Sequence, residues 1–453
     1  MKRRRFIKRV IQTAAVASAS AFSAERIPGA NDRVSVGLMG CGGRGRFVAD
    51  LMRKVPGVEF IAVCDVYDPQ AAAARAEAGP RCRSYRDFRK LLEQKDVDAV
   101  LIATPDHWHA IPTVLACQAG KDVYVEKPLA HTIKEGRAMV EAARRYNRIV
   151  QTGTQHRSAA HYREAARIIQ SGELGPVHFA RIWNYLNMHP DGIGRAPDSH
   201  PPEGLDWDLY LGPAPSVPFN KNRFLVTYRW FWDYAGGMAT DFGTHRFDSL
   251  HQVMGVDAPL SVTASGGRYA LKDGGETPDV LQITYEYPRF VLSYEASMLN
   301  AHGTGGRTPG KNYYQARGKD DRPHGEAFYG TNGALFSDRL GFEIYPEPEA
   351  ATIMGSSATS AQPEGFRMER KERSADDATA LHVKNFLECV RARQRPVADV
   401  EIGHRATIVA HLGNIAYLTG RKVRWDAARE EIVGDPEASE YLKPRLRKPW
   451  DLL

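Results

Sequence analysis

The chain has 453 residues, 43% hydrophobic and 25% charged, which is long enough for two domains that each bury a core without disulfide or metal staples. The formal charge is +7, yet Lys2, Arg3, Arg4, Arg5, Lys8 and Arg9 supply six of those charges before the first acid, Glu25. The rest of the chain is nearly neutral, which excludes a nucleic-acid footprint.

The basic start runs into Val10 to Ala24, rich in alanine and serine and well short of the roughly 20 apolar residues of a membrane span. Arg3-Arg4-Arg5-Phe6-Ile7-Lys8 resembles the twin-arginine export motif, and Ala19-Ser20-Ala21 offers a small-x-small cleavage site. Residues 1–30 are therefore expected to be a signal peptide and short linker, exporting the protein to the periplasm with no stable membrane span after cleavage. The five cysteines form no CxxC pair, and a protein folded in the cytoplasm before export keeps them as free buried thiols.

From Arg33 the pattern alternates strand, turn and helix. Val34 to Met39 is an apolar β-branched run, followed at once by Gly40-Cys41-Gly42-Gly43-Arg44-Gly45, a helix over Phe47 to Arg53 and a second strand over Val58 to Val63. Short buried strands at Asp98 to Ala103, Asp122 to Val125 and Ile149 to Gln151 are separated by amphipathic stretches such as Ile133 to Arg145. This alternation predicts a doubly wound parallel sheet over residues 31–153. Gly40, Gly42 and Gly45 fit G-x-G-x-x-G between strand and helix, and Asp65 stands twenty residues beyond the last glycine. The glycines admit a pyrophosphate to the helix N-terminus, and Asp65 can accept from the ribose hydroxyls while repelling a 2′-phosphate, so NAD is expected over NADP.

Thr104 and Pro105 close the next strand, on the side that faces a ligand crevice. Asp106, His107 and His109 follow, but a helix start does not gather such spacings on one face, and no metal is expected. Past Gly153, strand-like runs at Val177 to Asn184, Leu260 to Ser265, Val280 to Tyr287, Phe290 to Met298 and Gly333 to Ser337 predict a large open mixed or antiparallel sheet in an α+β domain over residues 154–453. Leu271 to Pro278, Gly303 to Gly325 and Gly355 to Ala378 are expected to be surface loops, and Ala380 to Arg393 and His404 to Leu418 helices, the latter ended by Gly420. Gln155-His156-Arg157 at the junction could place His156 or Arg157 over cofactor or substrate. The aromatic run Tyr228 to Tyr234, Trp232 included, could stack on a sugar or pack the core.

Gly236-Gly237-Met238-Ala239-Thr240-Asp241-Phe242-Gly243-Thr244-His245 puts Asp241 and His245 four residues apart, on one face if the segment opens a helix. Together with the glycine fingerprint, Thr104-Pro105 with His109, and Glu126-Lys127-Pro128, it resembles in order and spacing the glucose-fructose oxidoreductase, inositol dehydrogenase and rhizopine-catabolism (Gfo/Idh/MocA) family, over most of the chain from Arg33. The resemblance implies an N-terminal Rossmann domain, a second domain that binds a sugar or cyclitol and forms homodimers or tetramers, and a cofactor site of Gly40, Gly42, Gly43, Arg44, Gly45, Asp65, Thr104, Pro105, His109, Glu126 and Lys127. It also implies Lys127, Asp241 and His245 as the catalytic group. His245 would take the hydroxyl proton, Asp241 would orient the imidazole or bind a neighbouring hydroxyl, and Lys127 would stabilise alkoxide charge.

An exported dehydrogenase has no pool of free NAD to draw on, so retained cofactor is expected. Two alternatives stand beside a sugar or cyclitol oxidoreductase. One is a redox-neutral glycosidase or lyase working through a keto-sugar, although the chain lacks the Pro-Thr-His-Gly signature of one such group. The other is a non-catalytic NAD-binding sensor or scaffold, against which the intact Lys127, Asp241 and His245 count.

Overall fold

A computed structural model describes residues 33–300, 323–346, 370–373 and 377–450. The expected signal peptide, and most of the two long segments expected to be loops, lie outside them.

Six parallel strands open the fold: β1 (Val34–Met39), β2 (Val58–Cys64), β3 (Arg83–Tyr85), β4 (Ala99–Ile102), β5 (Asp122–Val125) and β6 (Val150–Thr152), in the order β3-β2-β1-β4-β5-β6. β4 and β5 are buried at every residue, as strands covered by helices on both faces must be. Strand order reverses between β1 and β4, which opens a crevice at their C-terminal ends. The helix Gly43–Arg53 starts at that crevice, and Ile133–Arg145 is capped by Thr132, whose Oγ accepts from the Glu135 backbone N–H.

Ten strands form the second sheet. Val177–Tyr185 lies near its middle, paired in parallel with Val291–Ser297 and antiparallel with His324–Gly330. The sheet then runs through Gly333–Asp338 and Gly341–Pro346 to Arg370–Arg373 on one side, and through Val280–Glu286 and Ser261–Gly267 to Val423–Asp426 and Glu431–Ile432 on the other. Its core packs against the helices Ala160–Gln170, Thr244–Met254 and Val400–Thr419. Two buried tyrosines tie the layers together: Tyr285 donates to the Val409 carbonyl at 3.0 Å and Tyr294 to the Met238 carbonyl at 3.0 Å. Gly420 ends its helix in the left-handed conformation at φ 66°.

Three expectations are corrected. His324 and Gly325 begin a strand rather than ending a loop, and Arg370–Arg373 pairs at the sheet edge, because cross-strand partners override glycine- and charge-rich composition. Leu271 to Pro278 is irregular, but Leu271 and Thr277 are buried. The helix Ala378–Ala392, although it comes from the C-terminal third, packs Val383, Phe386 and Leu387 onto β1 and the helix after it. Trp450 likewise returns to the first sheet, edge-on to Trp108 at 4.8 Å, while Arg447 holds Asp208 at 2.6 Å. All five cysteines are free and buried. Among the described residues, no helix is long and apolar enough to cross a membrane.

Candidate active site

The crevice at the ends of β1 and β4 is a cavity of about 280 Å3 lined on one wall by Gly40, Gly42, Gly43, Arg44, Asp65 and Thr104. Its glycines are there for two different reasons. Gly40 has φ +85°, and a Cβ on it would meet the Ala103 carbonyl at 2.6 Å, while one on Gly45 would meet the Gly40 carbonyl at 2.1 Å; these two allow the tight turn. Gly42 and Gly43 face open space, so side chains there would fill the cradle itself. The Asp65 carboxylate accepts from the Cys41 N–H at 2.7 Å and the Tyr67 N–H at 2.9 Å, pinning the glycine loop to the second strand. Burial pushes its carboxyl up, against those two bonds. Arg86, a cation lining this end, is paired with Asp68 at 2.5 Å. The Thr104 hydroxyl is buried on the same wall with no hydrogen-bond partner. An open glycine cradle, a ribose-side carboxylate and an unsatisfied hydroxyl fit a dinucleotide.

Beyond β5 the chain turns through Glu126 and Lys127. Glu126 is buried and holds Arg44, Oε1 to Nε 2.8 Å. Lys127 Nζ donates to the Asp241 carboxylate at 2.6 Å and to the Asp241 carbonyl at 2.5 Å. Arg229 lies on the same carboxylate oxygen at 3.2 Å. Burial alone would raise the Asp241 carboxyl, but the two cations overcome it and hold it at about 2. The segment Ala239–Gly243 winds as a wider π turn before the α-helix Thr244–Met254 begins. Asp241 therefore bonds Lys127 and Arg229, not His245, and the expected orientation of the imidazole by Asp241 is not what the structure shows.

His245 is instead stacked on His156, ring centroids 5.0 Å apart, and its Nδ1 is buried without a partner. Burial, then the charges of Lys127 and of Arg339 beyond His156, holds it well below the usual histidine range and keeps the ring neutral. His156 accepts at Nε2 from Arg339 at 3.2 Å, so its proton is on Nδ1, 3.1 Å from the Ser249 hydroxyl. That hydroxyl in turn donates to the His245 carbonyl at 2.9 Å.

Three residues expected in the site stand elsewhere. Arg157 is turned away by a salt bridge to buried Asp248 at 2.7 Å. His109 lies behind the cavity wall, its ring nitrogens 2.7 Å from the Pro128 carbonyl and 3.0 Å from that of Thr104, so it joins the two loops. Trp232 lines a different cavity, its carbonyl accepting from His131 at 2.9 Å, because the chain turns between Tyr228 and Trp232. Sequence reasoning missed Arg229, Arg339 and the pair in which Tyr228 donates to Asp106 at 3.0 Å. A single arginine inside the aromatic run Tyr228-Arg229-Trp230-Phe231-Trp232 was the available signal for Arg229; Arg339 comes from a strand turn with no motif.

The fold and site define a two-domain protein with a Rossmann nucleotide fold. The model of the oxidoreductase family's NAD-binding Rossmann fold matches residues 34–154, and that of its C-terminal α/β domain matches 182–289 and 365–452. The chain belongs to the Gfo/Idh/MocA oxidoreductase family and carries its NAD-binding domain. It is similar to the scyllo-inositol 2-dehydrogenase (NAD(+)) of Bacillus subtilis, 32% identical over 88% of this chain and 98% of the relative. The match to the inositol 2-dehydrogenase of Salmonella typhimurium, 35% identical over 31% of this chain, spans 43% of that relative's length. Levoglucosan dehydrogenase in complex with NADH shares the fold, with TM-score 0.63 at 17% identity over 86% of this chain and 99% of that one.

Proposed function

We propose that the protein is an NAD-dependent oxidoreductase acting on a secondary hydroxyl of a sugar or cyclitol. The observation that carries the reading is the pairing of Lys127 and Arg229 on the half-buried carboxylate of Asp241 beside a neutral His245 whose Nδ1 has no partner. Bound along the glycine loop, NAD supplies the hydride acceptor. His245 takes the hydroxyl proton in its neutral form, which burial and the nearby cations favour. Lys127 stabilises the negative charge that develops on the substrate oxygen, and Asp241 both holds Lys127 in place and accepts from a neighbouring hydroxyl. Gly40, Gly42, Gly43, Arg44, Gly45, Asp65, Thr104 and Pro105 hold the dinucleotide, with Glu126 fixing Arg44.

The cofactor is retained through turnover, the protein is exported by the twin-arginine route, and it works as a homo-oligomer. Retention is supported by Phe224, Leu225, Tyr228 and Arg229, which form the opposite wall of the cofactor cavity. Export rests on the Arg3 to Lys8 motif and the oligomer on the open sheet of the second domain.

The test is to denature the purified protein and identify by mass spectrometry what it releases, then to screen cyclitols and neutral sugars with and without an electron acceptor. NAD or NADH near one per chain, with acceptor-dependent oxidation, is the expected result. An empty protein that does not bind added NAD, or release of an aglycone with no acceptor present, overturns it.

A further inference from the structure

A second cavity of about 310 Å3, at the small end of the roughly 300–1,000 Å3 of ligand pockets, lies under the C-terminal segment Glu440 to Leu446 and shares no residue with the cofactor cavity. None of Lys127, Asp241 or His245 lines it. Its inner wall includes His107, His411 and Asn414. His107 approaches the Tyr210 carbonyl through Nε2 at 3.1 Å, and His411 the Ala130 carbonyl through Nε2 at 3.0 Å. A carbonyl only accepts, so in both rings the proton sits on Nε2 and Nδ1 carries a lone pair. Burial holds both rings far below the usual histidine range, at about 3 and about 4, and keeps them neutral. Asn414 donates its Nδ2 to the Gly236 carbonyl at 2.9 Å, which fixes the amide and turns Oδ1 the other way. The Nδ1 of His107 and the Oδ1 of Asn414 are both buried with no partner, a state that is costly until a donor arrives.

The missing ligand is therefore a donor of hydrogen bonds, and the charges around the cavity select its class. Glu135, the buried acid of the wall, is engaged by the Thr132 hydroxyl at 2.8 Å, and Asp233 and Glu440 are paired with Arg223 and Lys443. Burial pushes the Glu135 carboxyl up and disfavours its charged form, and the exposed Arg445 stands at the edge against a cationic ligand. An anionic ligand meets lone pairs. Half-buried Trp232 adds an aromatic surface to the same cavity. We infer that this cavity is a second binding site, separate from the catalytic crevice, for a neutral polyhydroxylated molecule of monosaccharide size. Hydroxyls satisfy His107 and Asn414, and the C–H face of the ring lies on Trp232. Because Asn414 holds Gly236, the ligand sits directly behind the segment that carries Asp241 and His245.

Calorimetric titration of the full NAD-loaded protein with D-glucose, myo-inositol, D-glucosamine and D-glucuronate tests this. The expected result is saturable binding of a neutral ligand that persists in Lys127→Ala and weakens roughly tenfold or more in Trp232→Ala and in Leu418→Trp. Leu418 lines the cavity and is 39% exposed, so a larger ring there blocks the space without entering the core. Binding that Lys127→Ala abolishes and Leu418→Trp leaves unchanged overturns the proposal, because it places the sugar in the catalytic crevice. So does tighter binding of glucosamine or glucuronate than of glucose, or no saturable binding to any of the four.

Discussion

His245 and Arg246 are neighbours on one helix, yet their surroundings are opposite in design. Arg246 donates to Glu326 at 2.9 Å and to the Tyr162 hydroxyl at 2.8 Å; the ion pair is one to one, with the side chains 3% and 0% exposed. Two cations share the single carboxylate of Asp241 on the other side, and His245 keeps a bare nitrogen. The pair is balanced in charge, although the second carboxylate oxygen of Glu326 is buried without a partner. Here two cations meet one carboxylate, with buried Asp106 close by, and His245 keeps a lone pair where the proposed reaction takes a proton from an alcohol. Balance marks a structural group here, and surplus marks a chemical one.

The contrast is broken most severely at His245. His245→Ala is expected to lower kcat/KM by roughly a hundred- to ten-thousand-fold with the thermal midpoint nearly unchanged, measured on whichever sugar the screen identifies. Glu326→Leu should do the reverse. It leaves Arg246 buried and unpaired and costs about 3–5 kcal/mol in denaturant unfolding, while kcat of the folded fraction stays within the same order of magnitude. Asp65→Ala should weaken NAD far more than NADP in equilibrium titration. Equal losses for both would show that Asp65 serves only to hold the Cys41 and Tyr67 amides. The smallest effect is expected from Arg339→Gln. Removing that cation raises the His245 pKa, and His245 works in its neutral form, so the acid limb of the pH–kcat/KM profile moves to higher pH. A limb that stays in place removes Arg339 from the site.

The parts of this arrangement that were legible in the sequence are those written by local geometry. The glycine fingerprint, the apolar strands β1, β4 and β5, and the Gly420 cap depend on residues close together in the chain. Arg83–Tyr85 is three residues long and none of them is fully buried, so no periodicity announces it as a strand. His324 and Gly325, read as the end of a loop, open a strand whose Glu326 is the partner of Arg246, eighty residues away. Lys127, Asp241 and His245 stood out through motifs. Arg229 and Arg339 did not, since only the folded chain brings them to Asp241 and His156. Trp232, which could have stacked on a sugar, and His109, which the family resemblance put in the cofactor site, fold onto other surfaces.

The helix Ala378–Ala392 covers one face of a sheet whose first strand begins at Val34, and Trp450 braces the other face. The core on both faces of the nucleotide fold is therefore complete only with residues from the far end of the chain. An N-terminal fragment ending after β6 would leave the surface under Val383, Phe386 and Leu387 bare, inviting capture by chaperones.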